Sequence, residues 1–259
     1  MSSPISTRGA PSSRALARLA RPLAGRCWRF VEAQHRISTI KLADSRAEQA
    51  VLEELIEATK PPLPPECRGL HYLLATPFRY AAYPRGSRFR RAGMTPGVFY
   101  SAETPATAAA EIAFYRLLFF TESPDTPFPG NPAEYTAFAA AFETRRALDL
   151  TRRPLAARRA DWMHPTDYAT CQALADQARA ADIAVLRYQS VRDPGQGCNV
   201  ALLTALAFAK PKPVAEQSWR LHIGEAGVVA LCESPRADLR FDAAAFAADP
   251  RLKALRWRK

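Results

Sequence analysis

The sequence predicts a mixed α+β fold, on three observations. Apolar runs of strand length recur without the regular strand–helix–strand alternation that builds a parallel sheet, and neither GxGxxG nor GxxxxGK[ST] occurs. The segment "SWRLHIG" alternates Trp219, Leu221 and Ile223, and "GVVALC" follows closely enough to pair with it as a hairpin. The stretch "GVFYSAETPATAAAEIAFYRL", residues 97–117, passes from an apolar strand ending in Tyr100 into a helix opened by Thr104 and Pro105.

Taken in order, residues 1–31 hold six arginines and no acid, and read as a basic, solvated end. Their Ser and Arg content resembles an organelle transit peptide, but they lack its apolar stripe. A first helix is expected to carry Trp28, Phe30 and Val31. Ser45 with Glu48 forms a capping box, and Val51, Leu52, Leu55 and Ile56 follow at helical spacing, predicting a helix over 45–59. "PPLPP", residues 61–65, is a stiff linker. Residues 1–65 therefore read as a basic tail and helical extension, whose apolar positions suit packing or pairing with a second copy, and residues 66–259 as the main domain.

In that domain "LHYLLA" reads as a strand, "TPFRYAAYPRGSRFRRAGMTPG" as a long polar loop, and "VFYS" as a second strand. Tyr135–Phe142 and Ala147–Leu150 are expected strands, 165–181 a helix and "IAVLRY" a buried strand. "QSVRDPGQGCN" is a turn through Pro194, Gly195 and Gly197, and the last 20 residues look helical.

Composition narrows the function classes. The chain has 259 residues, 48% hydrophobic and 24% charged, and no apolar run approaches the roughly 18–20 residues of a membrane span. Five cysteines, scattered and without CxxC spacing, indicate neither a disulfide framework nor zinc, and fit a reducing cytoplasm. His35, His71, His164 and His222 form no HExxH. The net charge of +11 resides in the two ends, since Arg251, Lys253, Arg256, Arg258 and Lys259 supply what residues 1–31 do not; the body between is neutral and is not a basic groove. Direct nucleic-acid binding would have to use the ends.

The chemistry centres on Glu111. In the apolar helix from Pro105 to Phe120 its only ionisable companions are Tyr115 and Arg116, and at 100° per residue Arg116 lies about 140° away around the axis. Glu111 must therefore meet a cation from elsewhere or face a polar cavity. Arg79, Arg88 and Arg90 precede it in the loop; guanidinium forks suit phosphate or carboxylate, and Tyr80 and Tyr100 can present flat faces to a ring. One alternative is that an arginine of this group simply pairs with Glu111. Ser190, Arg192 and Asn199 come at the end of a strand, where binding residues commonly sit, and no GxSxG marks Ser190 as a nucleophile.

"TPFRY", "GSRF", "GVFYSAETPATAAAEIAFYR" and "RYQSVRDPGQGCNVALL" together resemble the RES-domain family, bacterial toxins named for an Arg, a Glu and a Ser. The resemblance spans about His71 to Phe208. It implies an ADP-ribosyltransferase-like sheet core, an activity that degrades NAD as substrate with no cofactor or metal, and a helix-turn-helix antitoxin partner in a bacterial cytoplasm. Carried over, the family Glu is Glu111, the Ser is Ser190, the strand-ending tyrosine is Tyr100 and the asparagine is Asn199. The family Arg is assigned to Arg79, with Arg88 as a second cation, Arg192 and Tyr80 as further substrate contacts, and the principal phosphate ligand left open between Arg79 and Arg88. Cleaving the nicotinamide–ribose bond expels a neutral leaving group from a cationic one, so one carboxylate suffices where ordinary glycoside hydrolysis needs two. Water, phosphate or a protein side chain could be the acceptor; a protein ADP-ribosyltransferase is the nearest alternative, and an adaptor or nucleic-acid binder acting through the basic ends the more distant one.

Overall fold

The computed structural model describes residues 9–33, 45–80, 84–93 and 96–252; His35 and the outermost basic residues lie outside them. The described residues form six helices, α1 (Ser13–Leu19), α2 (Arg46–Thr59), α3 (Tyr72–Arg79), α4 (Pro105–Glu122), α5 (Arg159–Trp162) and α6 (Ala169–Arg179). Eight strands accompany them: β1 (Arg21–Glu32), β2 (Phe99–Ala102), β3 (Ala133–Asp149), β4 (Val185–Gln189), β5 (Cys198–Leu202), β6 (Ala215–Gly224), β7 (Gly227–Cys232) and β8 (Ala237–Asp242). The fold is mixed α+β, and among the described residues no helix is long and apolar enough to cross a membrane.

β3 organises the sheet. The strand order is β1-β2-β5-β4-β3-β6-β7-β8, and β1 also pairs with β3, so β1, β2, β5, β4 and β3 close a ring. The first half of β3 pairs antiparallel with β6, from Ala133↔Leu221 to Ala139↔Ala215, and leads out to the β6–β7–β8 meander. Its last residues, Ala147–Asp149, run parallel to Val185–Arg187 of β4. The two strands expected at Tyr135–Phe142 and Ala147–Leu150 are thus one, because β1 pairs across the polar gap at Glu143 and Thr144.

The helix expected over Trp28, Phe30 and Val31 is instead strand β1, in register with β3 from Arg21↔Ala147 to Glu32↔Tyr135. Its period is two: Trp28 and Phe30 pack toward the core under α4, whereas Cys27 and Val31 pack toward the core containing Phe99 and Phe138. Over Cys27–Val31 the strand packs against a core on each face, and that part loses the polar alternation that would have marked it. Nor is the arginine-rich segment before it a free tail from Ser12 onward. Ser12 caps α1, Leu16 is fully buried, and the Ser13 amide donates to Gln177 Oε1 of α6 at 2.9 Å.

Two more expectations change. "LHYLLA" belongs to α3, whose N-cap His71 accepts from the Leu73 amide and whose Leu74, Ala75 and Phe78 are buried at helical spacing. Of the last 20 residues, expected as helix, 240–242 belong to β8, paired to β7 from Gly227↔Asp242 to Cys232↔Ala237. A short 3-10 helix at Ala243–Phe246 and the turns after it bury Phe246 and Leu252, and residues 253–259 lie outside the described residues. The helix expected at 165–181 is the shorter α6. α2 forms where expected, with Ser45 Oγ accepting from the Glu48 amide, yet none of its residues is buried.

Candidate active site

α4 begins with Thr104 as N-cap, accepting from the Thr107 amide at 3.1 Å, and Pro105 in its first turn. Alanines 108, 109, 110 and 113 let the helix lie close to the sheet, with Phe114, Leu117, Leu118 and Phe120 filling the space beyond. Glu111 sits one turn after Thr107, at the side of α4 that meets the ends of β4 and β5.

Two neutral donors meet its carboxylate. Ser190, the residue after β4, donates from Oγ to Glu111 Oε1 at 2.7 Å, and Asn199 on β5 donates from Nδ2 to the same oxygen at 2.6 Å. Ser190 and Asn199 are 2% and 4% exposed. Glu111 is half-buried, and among the described residues no cation pairs with it and Oε2 has no hydrogen-bond partner. The question posed by a carboxylate in an apolar helix is answered by a polar niche rather than an ion pair. Because Oε1 can only accept, the Asn199 amide must present its nitrogen, leaving Asn199 Oδ1 buried without a partner.

The turn that delivers Ser190 is fastened to α4 by Asp193. Its carboxylate accepts from Thr107 Oγ1 at 2.8 Å, the Gly197 amide at 3.1 Å and the Gly195 amide at 2.8 Å. Gly197 is required here, since a Cβ would stand 2.1 Å from Thr107 Oγ1 and 2.6 Å from Asp193 Oδ2. Asn199 faces Tyr188 on one side and Ala102 on the other in the strand register. Burial pushes the Tyr188 phenol well above its ordinary pKa, and the nearby Glu111 charge adds to this while Arg88 opposes it. Burial likewise pushes the Tyr115 phenol above its ordinary pKa; the Glu111 charge adds to this, and Arg192 and Arg88 oppose it.

The other expected residues divide. Arg88 is 7% exposed, donates to the carbonyls of Trp162 at 2.6 Å and His164 at 3.1 Å, and lies over the Tyr168 ring at 4.7 Å. Much of its fork is committed, so it offers the niche a fixed positive field. Tyr100 ties the arginine loop in place: its hydroxyl bonds Ser87 Oγ at 2.8 Å and accepts from the Phe89 amide at 2.9 Å. Arg192 is buried in an ion pair with Asp249 at 2.6 Å and stacks 3.8 Å from the Phe114 ring centroid.

Arg79 is not brought to this cluster. Its guanidinium donates to Glu57 Oε1 and the Pro61 carbonyl, each at 2.5 Å. With the exposed Tyr80 it lines a cavity of about 400 Å³ between α2, the proline segment and α3, whose lining includes neither Glu111 nor its donors. Arg90 is buried and donates to the Tyr80 carbonyl. Thr107, Asp193, Tyr188 and Asp249 went unnoticed in the sequence. For Asp193 the signal was present, an Asp before Pro-Gly being a common start for a side-chain-to-backbone turn.

These features define a mixed α+β domain with a single carboxylate held by neutral donors at the joint of a helix and two strand ends. The RES domain family model matches residues 63–224, more than half of the chain, and the protein belongs to that family. No curated protein matches it. Three solved chains do. One, from the crystal structure of the M. tuberculosis MbcT-MbcA toxin-antitoxin complex, is 13% identical, with a TM-score of 0.45 over 78% of this chain and 90% of that chain.

Proposed function

We propose that the protein is an enzyme that cleaves the nicotinamide–ribose bond of NAD and serves as the toxin of a bacterial toxin–antitoxin pair, acting in the cytoplasm and restrained by a helix-turn-helix antitoxin. RES-family membership supports the class. The observation that carries the chemistry is the Glu111 carboxylate, with Oε1 fixed by Ser190 and Asn199 and Oε2 without a partner among the described residues.

A neutral donor pair holds a carboxylate in place without cancelling its charge, whereas an ion-paired arginine would neutralise it. The remaining charge is worth most when a cationic ribose develops beside it. Departure of neutral nicotinamide needs no acid, consistent with a site built on one carboxylate. In this reading Glu111 Oε2 accepts from a ribose hydroxyl and stabilises the oxocarbenium-like ribose, and Ser190 and Asn199 keep the carboxylate from turning away. Arg88 supplies positive potential for the diphosphate, and the Tyr115 ring, half exposed beside Glu111, offers a face for nicotinamide. Arg79, assigned by the resemblance, would reach the substrate only by leaving Glu57.

Incubation of the purified protein with NAD, with and without inorganic phosphate, followed by identification of the products, tests this. Free nicotinamide with ADP-ribose indicates water as acceptor, and a phosphate-dependent phosphorylated ADP-ribose indicates phosphorolysis. Label appearing on protein would move the reading to protein ADP-ribosylation, and NAD left intact would overturn it.

A further inference from the structure

Ser190 Oγ has one proton and two lone pairs. Both lone pairs are engaged by backbone amides, Arg192 at 3.1 Å and Asp193 at 3.0 Å, so the proton has one direction left, toward Glu111 Oε1. What fixes those two amides therefore fixes the donor that orients the carboxylate. Asp193 is tied to Thr107 and to its own turn. Arg192 is tied elsewhere, and its partner comes from the far end of the chain.

Asp249 is 1% exposed and lies after β8, beyond residue 224 where the family match ends. Its Oδ2 receives Arg192 Nη1 at 2.6 Å. Arg251 donates its amide and Nε to Asp249 Oδ1 at 2.9 and 3.0 Å and its Nη2 to Oδ2 at 2.9 Å. Arg192 Nη2 donates to the Pro165 carbonyl at 2.5 Å, and its guanidinium lies on Phe114, three residues after Glu111 on α4. Burial works against the Asp249 charge, but the hydrogen bonds from Arg251 and the charge of Arg192 outweigh it and hold the carboxyl below its usual range.

We propose that Asp249 is a positioning residue for the Glu111 site: by locking the Arg192 guanidinium against Phe114 it fixes the backbone amide that aims the Ser190 proton at Glu111. The clamp joins the C-terminal segment, the turn after β4 and α4 at one point. A buried ion pair is poor evidence of added stability, since desolvation offsets its attraction. It is better suited to specifying geometry, and here it specifies that of the turn holding Ser190.

The catalytic readout rests on the NAD reading above, so the experiment has a second readout that does not. Asp249→Asn keeps the shape and removes the charge. In protein that melts as a folded unit, kcat for NAD cleavage is expected to fall about tenfold with KM changed less than about twofold, the size of one charged hydrogen bond lost from the transition state. In parallel, amide hydrogen exchange at Arg192 and Asp193 is expected to accelerate at least ~10-fold while the amides of β4 and β5 stay protected. Wild-type kcat together with wild-type exchange would overturn the proposal, as would a loss of kcat proportional to unfolded protein. If Asp249→Asn does not fold, Arg192→Lys is measured instead; a lysine cannot hold Asp249 and Pro165 together, and the same losses are expected. Wild-type values there would equally overturn the clamp. Should wild-type protein cleave no NAD, the reading of the activity fails, while the exchange comparison still decides whether Asp249 holds the turn.

Discussion

Two carboxylates, Glu111 and Glu57, each sit where a helix meets a second element, and their surroundings differ in one decisive way. Glu57 lines the cavity of about 400 Å³, is 56% exposed at its side chain, and is neutralised by Arg79 and Lys60. Glu111 has no cation among the described residues and instead meets two neutral, nearly buried donors on one oxygen. The hydrogen bond from Lys60, and then that from Arg79, lower the Glu57 pKa and use up its charge locally. The Glu57 groove is a cavity, but electrostatic stabilisation of a developing cation needs charge that is held in place and still unspent, and on the reading proposed above that charge is the one on Glu111.

The harshest test of that contrast removes the frame common to both regions. Deleting residues 1–32 takes away α1 and β1, opening the ring of strands and uncovering Phe30's partners Tyr135 and Trp219. The expected outcome is loss of soluble, cooperatively melting protein, measured by circular dichroism. A truncated chain that melts normally would restore the reading of the N-terminus as an appendage.

Next in size, Glu111→Gln keeps the shape of the carboxylate and removes its charge. NAD turnover is expected to fall at least ~100-fold with the melting temperature nearly unchanged, about the effect of removing one transition-state electrostatic group. If turnover survives and the charge change instead unfolds the protein, Glu111 serves structure and the contrast collapses. Ser190→Ala removes one of its two donors and is expected to lower kcat about tenfold, since a hydrogen bond to a charged group is worth roughly 1.5–3 kcal/mol.

How far all this could be read from residues alone follows from which signals are local. The capping pair Ser45 and Glu48, the Thr104–Pro105 helix start and the alternation of Trp219, Leu221 and Ile223 are local signals, and α2, α4 and β6 appear where they predict. β1 failed because its pattern is set by two cores rather than one: with Trp28 and Phe30 on one face and Cys27 and Val31 on the other, little polar alternation remained. α3 failed for a related reason, its short apolar run being ambiguous between strand and helix. Of the site, Glu111, Ser190 and Asn199 were legible because polar residues in apolar surroundings stand out, and the fold brings them within hydrogen-bonding distance. Arg79 and Arg88 were not separable by sequence, because a guanidinium's partner is chosen by tertiary structure. Asp249 was invisible, lying 57 positions beyond the arginine it holds.

A smaller effect is expected from Gly197→Ala, which places a Cβ against Thr107 and Asp193 and must shift the turn. Overpacking of this kind costs about 1–3 kcal/mol, so the melting temperature should drop by several degrees, with kcat falling as Ser190 moves. Unchanged stability would mean that the Asp193 fastening is slack and that the turn does not hold the niche rigidly.

The smallest effect is expected from Arg79→Lys, and it sharpens the comparison most directly. The resemblance assigns Arg79 to substrate, whereas its guanidinium is engaged by Glu57 and Pro61 at the far groove. Lysine keeps the charge opposite an exposed carboxylate, so the protein should melt as wild type and its apparent NAD affinity should change by less than about twofold, as expected for a surface pair. Arg88→Lys should weaken affinity clearly more, because Arg88 stacks on Tyr168 and its charge is felt at Tyr115 and Tyr188 beside Glu111. The reverse ranking would mean that Arg79 leaves Glu57 when substrate binds, that the cavity of about 400 Å³ is the mouth of the site, and that the two carboxylates belong to one machine rather than two regions.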